Sequence, residues 1–218
     1  ICHITILYNL SSENKNYVMG DLLNYESDNP SIVELLDHGI HFSHHLLNHF
    51  NIQKGEYFPV IIQSEAPLVH MLKWGIENPI MAKGPGLTYI FGPTVEKQES
   101  LRKLMKYQRV LIPVNKFIHR RLGEGNDIVI KHPKNKVLWM AGLWNESSEG
   151  EKGFALLTCN TIEAKRNQIR RIPIFLTHKA LINQWLNKNF TSIQEINKIM
   201  SIKSSPMVAT GSMDLVEL

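Results

Sequence analysis

VEKQESLRKLMKYQRVLIPV, residues 95–114, passes from helical to β character with no linker between the two, and that junction decides the fold class. Up to Gln108 the segment reads as a helix. Thr94 stands at the N-cap position, and Lys97 rather than Glu at the third helical position, so a cap is present without a full capping box. From Arg109 the run RVLIPV is β-rich. Further β-rich runs follow, punctuated by Gly, Pro and Asn: IVI (128–130), KVLWMAGLW (136–144) and FALLTC (154–159). Upstream, YFPVIIQ, VHMLKWGI and LTYIF are separated by Pro, Gly, Asn and Ser turn signals. The central half therefore reads as a curled, largely antiparallel sheet.

Towards the ends, residues 2–9 predict a first strand and SSENKNYVMGD (11–21) a polar loop. From Ser31 to Phe50, Ile32, Leu35, Leu36, Ile40, Leu46, Leu47 and Phe50 recur at three-to-four spacing after Pro30, which predicts one helix or two broken near Gly39. Beyond the centre, IPIFL (172–176) has strand character. Thr177 is placed to cap a short helix that buries Leu181, Ile182, Trp185 and Leu186, and the T-x-x-Q box of Thr191 and Gln194 to open another. No repeat or interdomain linker interrupts the order, so the expectation is a single α+β domain over residues 1–218.

The chain has 218 residues, 43% of them apolar and 20% charged, with 13 Gly, 10 Pro and 2 Cys, which excludes collagen-like, disordered and disulfide-rich classes. No apolar run reaches the roughly 18 to 20 residues of a membrane helix, and nothing near the start reads as a signal core, so a cytoplasmic protein without membrane contact is expected. A balance of 24 Lys and Arg against 20 Asp and Glu permits an anionic partner such as nucleic acid without requiring one. Oligomeric state is not encoded legibly.

Three constellations bear on chemistry. His38, His41, His44, His45 and His49 stack on one side if helical, as a metal site would need, or form a polar helix face. HExxH is absent and no carboxylate or Cys completes the set, so no metal or other cofactor is expected. Likewise KGPG (83–86) reads as a turn, and no GxSxG marks a hydrolase. Basic residues lie near aromatics or each other at Lys73-Trp74, at His119-Arg120-Arg121 and from Lys165-Arg166 to Arg170-Arg171, which suits either phosphate and base contacts or a solvated surface. Finally, Cys2 is a 1,2-aminothiol if its α-amine is free. An amine of reference pKa ~7.7–8.0 attacks an aldehyde, and the thiol then closes a thiazolidine. Ile1 blocks this chemistry unless it is removed or stands for a start codon read as Met.

Several segments together resemble the SOS-response-associated peptidase (SRAP) family, whose members capture abasic sites in single-stranded DNA through an N-terminal cysteine. The family's MCGR start corresponds to Ile1-Cys2-His3-Ile4, its RWGL to Lys73-Trp74-Gly75-Ile76, and its helix followed by RCLVPADGFYEW to residues 95–120. Its AGLWE strand returns as Ala141-Gly142-Leu143-Trp144. Its TT-x-AN…IHxRMPVIL segment aligns with Thr158-Cys159 through Arg171 to Leu176. The resemblance implies Cys2 as the nucleophile, with His119 at the position of the catalytic Glu. It implies Lys73, Trp74, Arg120, Thr158 and Arg171 as DNA contacts, single-stranded or abasic DNA as partner, and an autopeptidase that exposes the cysteine.

The same register shows replacements. The family's Asn and Arg in its NARSET segment fall on Tyr89 and Phe91, which reproduce neither amide orientation nor a bidentate phosphate contact. Its Arg after the nucleophile is Ile4, its Trp beside the catalytic Glu is Arg120, and its catalytic His is Ile169. His119 reads as a general acid/base or as a hydrogen-bonded surface histidine. Arg171 reads as a phosphate ligand or an ion-pair partner. Trp74 reads as a stacking platform or core, and Thr158 as a ligand or a backbone-bonded hydroxyl. A non-catalytic binding or scaffold module is the alternative that these changes raise.

Overall fold

The structure is a computed structural model that describes residues 4–8, 21–25, 49–65, 68–81, 84–119, 128–132, 136–160, 171–201 and 207–208. The expected strand at 109–114 is β7, Arg109–Val114, and all six of its residues are buried. Its even positions Val110, Ile112 and Val114 join one core, while Leu111 joins another. Alternate side chains thus point to opposite apolar layers, which is why RVLIPV is an unbroken apolar run rather than an alternating one.

Around β7 a five-stranded barrel closes. Its other strands are β4 (Tyr57–Ile62), β5 (Leu68–Trp74), β10 (Leu138–Glu146) and β11 (Lys152–Cys159). The order runs β10-β7-β4-β5-β11, and a further β10–β11 pairing closes the ring. Four of the joints are antiparallel. The fifth, β5 to β11, is parallel and short, pairing Lys73 with Gly153 and Trp74 with Phe154. Gly75 continues it in a backbone conformation of φ +142°, which glycine adopts freely, and its N–H donates to the Phe154 carbonyl at 2.8 Å. Two more strands extend β11: β6 (Tyr89–Phe91) pairs with it in parallel, and β12 (Ile172–Pro173) antiparallel.

The barrel interior holds Phe58, Val60, Leu72, Trp74, Ile112, Met140, Phe154 and Leu156. Outside, the helices among the described residues cover the second layer: α1 (Gly92–Val95), α2 (Glu99–Tyr107), α3 (Lys179–Leu186) and α4 (Ile193–Ser201). They contribute Leu101, Leu104, Met105, Ile182, Trp185, Ile196 and Ile199 against Ile61, Leu111, Ala155 and Leu157. A second sheet has the order β13-β1-β9-β8-β2-β3, from Met207–Val208, Ile4–Tyr8, Ile128–Lys131, Lys116–His119, Leu22–Tyr25 and His49–Ile52. It is antiparallel except where β13 meets β1. The chain runs from β7 into β8 through Asn115, whose N–H donates to the Asn24 carbonyl at 2.9 Å. The result is the expected single α+β architecture, with the sheet closed into a barrel.

Arg109 sits at the junction with the helices and is fully buried. Its guanidinium donates from Nε to Trp185 O (2.7 Å), from Nη1 to Met105 O (2.7 Å) and Lys106 O (2.9 Å), and from Nη2 to Asn187 O (2.8 Å). These carbonyls end α2 and α3, where the backbone dipoles converge on negative charge. Burial pushes the group down to about 10, so it stays protonated at neutral pH. Gln63 completes the arrangement, its Nε2 donating to Lys106 O and Asn187 O and its Oε1 accepting from the Arg109 N–H.

Three cap expectations are corrected. The helix expected from residue 95 begins at Glu99 after the separate turn α1, and Thr94 bonds back to Phe91 O instead of capping. His178 rather than Thr177 precedes α3, with no side-chain cap bond. Ser192 rather than Thr191 accepts from the Glu195 N–H (3.4 Å), one residue later than the T-x-x-Q box. Residues 49–52 are strand, so the expected helix cannot run to Phe50. The rest of that segment, with His38, His41, His44 and His45, lies outside the described residues.

Candidate functional site

The site grows from the register of β2 and β8. Leu23 lies opposite Phe117 and Leu22 opposite Ile118, so the next row sets Asp21 opposite His119 at the end of the sheet. Asp21 Oδ1 lies 2.8 Å from His119 Nδ1, with the carboxylate 12% and the imidazole 29% exposed. The Tyr89 hydroxyl donates to the other carboxylate oxygen, Oδ2. Burial, and then the Asp21 charge, raise the Tyr89 phenol far above its ordinary value, so it remains a donor throughout the neutral range.

Tyr89 and Phe91 are two apart on β6 and share a half-buried face, while Ile90 between them is buried on the opposite side. Each ring carries a cation. Lys54 Nζ stands 4.9 Å from the Tyr89 centroid, and Arg171 Cζ 4.2 Å from that of Phe91. Lys54 and Arg171 are both exposed. On a strand, alternate residues lie about 7 Å apart, a distance that neighbouring nucleotides of an extended single strand can bridge.

Other expected contacts support this face from beneath. Trp74 is fully buried, edge-on to Tyr89 (5.9 Å, 87°) and parallel to Phe154 (6.5 Å, 8°), with Nε1 donating to Thr88 O. It is core and offers no open ring to a base. Thr158 is buried and donates to Ile90 O at 3.2 Å, which fixes β6 rather than a ligand. Lys73 lies outside this cluster, paired with Glu151 at 2.9 Å, and the Tyr57 hydroxyl also donates to Glu151. Each partner of the pair favours the charged form of the other, raising Lys73 and lowering Glu151.

Cys2, Arg120 and Ile169 lie outside the described residues. In the second sheet, Tyr8 pairs with Ile128, and Ile128 with His119, whereas Thr5 pairs with Lys131, opposite Lys116. His119 is therefore level with the far end of β1, not with its start. Asp21 and Lys54 were not singled out from the sequence. Asp21 closes a polar loop, Lys54 precedes the turn glycine Gly55, and each meets its partner only through long-range pairing. Among the described residues no group of three or more His, Cys, Asp or Glu is placed to hold a metal ion, and no helix is long and apolar enough to cross a membrane.

Cys159 is the other thiol. Burial pushes it up to about 11, leaving it almost wholly protonated at pH 8. In a Cys2→Ala protein, alkylation of Cys159 at pH 8 is expected to run at least ~100-fold slower than that of a free thiol of pKa near 8.5. Mass spectrometry before and after denaturation checks this, and rapid native labelling would contradict it.

The chain matches the family described as "SOS response associated peptidase (SRAP)" over residues 25–213, downstream of Cys2 and Asp21. No curated protein matches the chain. Among solved structures, a protein from Bacteroides thetaiotaomicron is similar with a TM-score of 0.65 at 19% identity, over 82% of this chain and 86% of that one. A phage-related protein from Bordetella bronchiseptica gives 0.64 at 19% identity, over 84% and 87%. A further Bordetella bronchiseptica protein gives 0.61 at 12%, over 82% and 92%. At these identities the likeness establishes the fold.

Proposed function

Because the chain belongs to the SRAP family, we propose that it acts in the DNA-damage response by binding single-stranded DNA across the Tyr89–Phe91 face and capturing abasic-site aldehydes on Cys2. One observation carries the binding half of this reading. The two positions that lack the family's polar contacts are aromatic, and each has an exposed cation over its ring. Lys54 and Arg171 supply charge for phosphates, and the rings a surface for bases. Arg120, next to His119 in sequence, is a further candidate phosphate contact.

Capture requires the Cys2 amine to be free. The amine adds to the aldehyde, water leaves as the imine forms, and the thiol adds to the imine carbon while its proton passes to nitrogen. His119 is the proton-transfer group, in place of a carboxylate.

The test incubates the protein with single-stranded DNA carrying one abasic site, beside Cys2→Ala and a Lys54→Ala/Arg171→Ala double variant. Wild type is expected to give an adduct, seen by denaturing gel and intact mass, on chains that start at Cys2, and Cys2→Ala none. The double variant should bind more weakly, its log K against log salt slope shallower by about 1.4, roughly 0.7 for each phosphate contact on a single strand. Absence of binding at low salt overturns the reading.

A second reading, a non-covalent SRAP-fold binding module, is favoured by the register that sets Tyr8 rather than Ile4 level with His119. At ~3.3 Å per residue, the start of β1 is roughly 13 Å along the strand from that row. Salt-sensitive binding without an adduct, on protein that retains Ile1, selects it.

A further inference from the structure

Both oxygens of the Asp21 carboxylate are committed, one to His119 and one to Tyr89, at the end of the sheet where the candidate site opens. A carboxylate accepts and does not donate, so the atom of His119 that faces it must carry the proton. That atom is Nδ1. In the neutral imidazole, Nε2 then holds the lone pair, and among the described residues Nε2 has no hydrogen-bond partner. Tyr89 fixes the carboxylate from its second side, and its own ring is held edge-on by the buried Trp74. A short chain of contacts thus runs from the barrel core to one ring nitrogen.

We propose that Asp21 is the positioning residue of this site: it locks His119 in the Nδ1–H tautomer and presents Nε2 as the proton-accepting atom for aldehyde capture. For its chemistry this rests on the capture reading above; for the orientation of His119 it rests on Asp21 alone. In the capture sequence, Nε2 takes the proton released when the amine nitrogen adds to the aldehyde carbon. It returns that proton to the alkoxide oxygen to give the carbinolamine, and then relays the second nitrogen proton to the hydroxyl, which leaves as water as the imine forms, so the imidazole ends as it began. An Nε2–H tautomer would present a donor where the first of these steps needs an acceptor. The position of the family's carboxylate is thus served by a carboxylate–imidazole pair, one residue deeper, with Asp21 supplying the charge.

Two measurements on the full chain decide it. Nitrogen-15 NMR of the imidazoles above their titration, with His119→Gln to assign the signal, is expected to show protonated Nδ1 and bare Nε2 in wild type. It should show a loss of that preference in Asp21→Asn and its retention in Tyr89→Phe. Adduct formation at saturating abasic DNA is expected to slow by about 10- to 100-fold in Asp21→Asn, with a displaced pH profile and DNA affinity within about twofold of wild type. An Nε2–H tautomer in wild type overturns the assignment, and needs no variant to fold. An unchanged rate and pH profile in Asp21→Asn overturns it equally. If wild type binds abasic DNA and forms no adduct, the capture reading fails, and the tautomer alone then decides whether Asp21 positions His119.

Discussion

Replacing Arg109 with Met is expected to lower the unfolding free energy by about 3–5 kcal/mol, without changing the slope of the urea transition. Met fills a similar volume and removes a desolvated charge, and replacing a buried ion with an apolar residue is often neutral. Here it is not, because the partners are backbone. The carbonyls of Met105, Lys106, Trp185 and Asn187, at the ends of α2 and α3, cannot be replaced along with the side chain, and Gln63 Nε2 reaches only those of Lys106 and Asn187. Arg109→Lys keeps the charge but cannot span four acceptors with one ammonium, so an intermediate loss is expected. A loss below about 1 kcal/mol for the Met variant would show that water or relaxation satisfies these carbonyls.

Gly153→Ala should be comparably severe, at about 3 kcal/mol or more, and should weaken DNA binding as well. A Cβ on Gly153 would overlap the backbone carbonyl of Gly75 and stand 3.1 Å from that of Lys73. Neither obstacle is a side chain that can turn away. Relief therefore requires opening the parallel β5–β11 joint, the shortest in the barrel ring apart from the equally short pairing of β4 with β7. Because β11 also carries β6, through Leu156 opposite Tyr89 and Thr158 opposite Phe91, the displacement reaches the two aromatic–cation pairs. Gly55→Ala is the control. It lies at φ +90° with nothing within 4 Å of the added carbon, so it should cost only about 1–2 kcal/mol of backbone strain. Urea melts of the two variants compare steric overlap with strain directly, and equal losses would refute the overlap argument.

The strands were legible because their signal is local. RVLIPV, KVLWMAGLW and FALLTC are β-rich runs within single windows, and each became a barrel strand. Closure was not legible, since the parallel joint depends on Gly153 having no side chain opposite a segment some 80 residues earlier. Cap positions moved by one to four residues because Thr94 bonds to its own turn and Ser192 adjoins Thr191, and composition does not rank such neighbours. At the site, alignment located His119, Arg171, Tyr89 and Phe91. It had no means of finding Asp21, 98 residues from His119, because nothing about a single aspartate ahead of a strand announces its partner. Lys54 escaped for the same reason. Trp74 and Thr158 each carry two readings in the sequence, contact or support, and their burial favours core for the first and a backbone-bonded hydroxyl for the second.

The dependence of the barrel on β11 also dictates when the chain can fold. The β4–β5 hairpin forms from adjacent residues and can pair early, as can β10 with β11 across their short turn. Yet the free edge of β5, and the whole of β6, wait for partners between Gly153 and Thr158. At a synthesis rate of about 5–20 residues per second, the ribosome needs roughly 4 to 16 seconds to add the intervening 80 residues. During that interval an apolar strand edge stands unpaired, a template for pairing with a neighbouring chain. The seam that closes the barrel last is thus also the point at which a nascent chain is most open to misassembly.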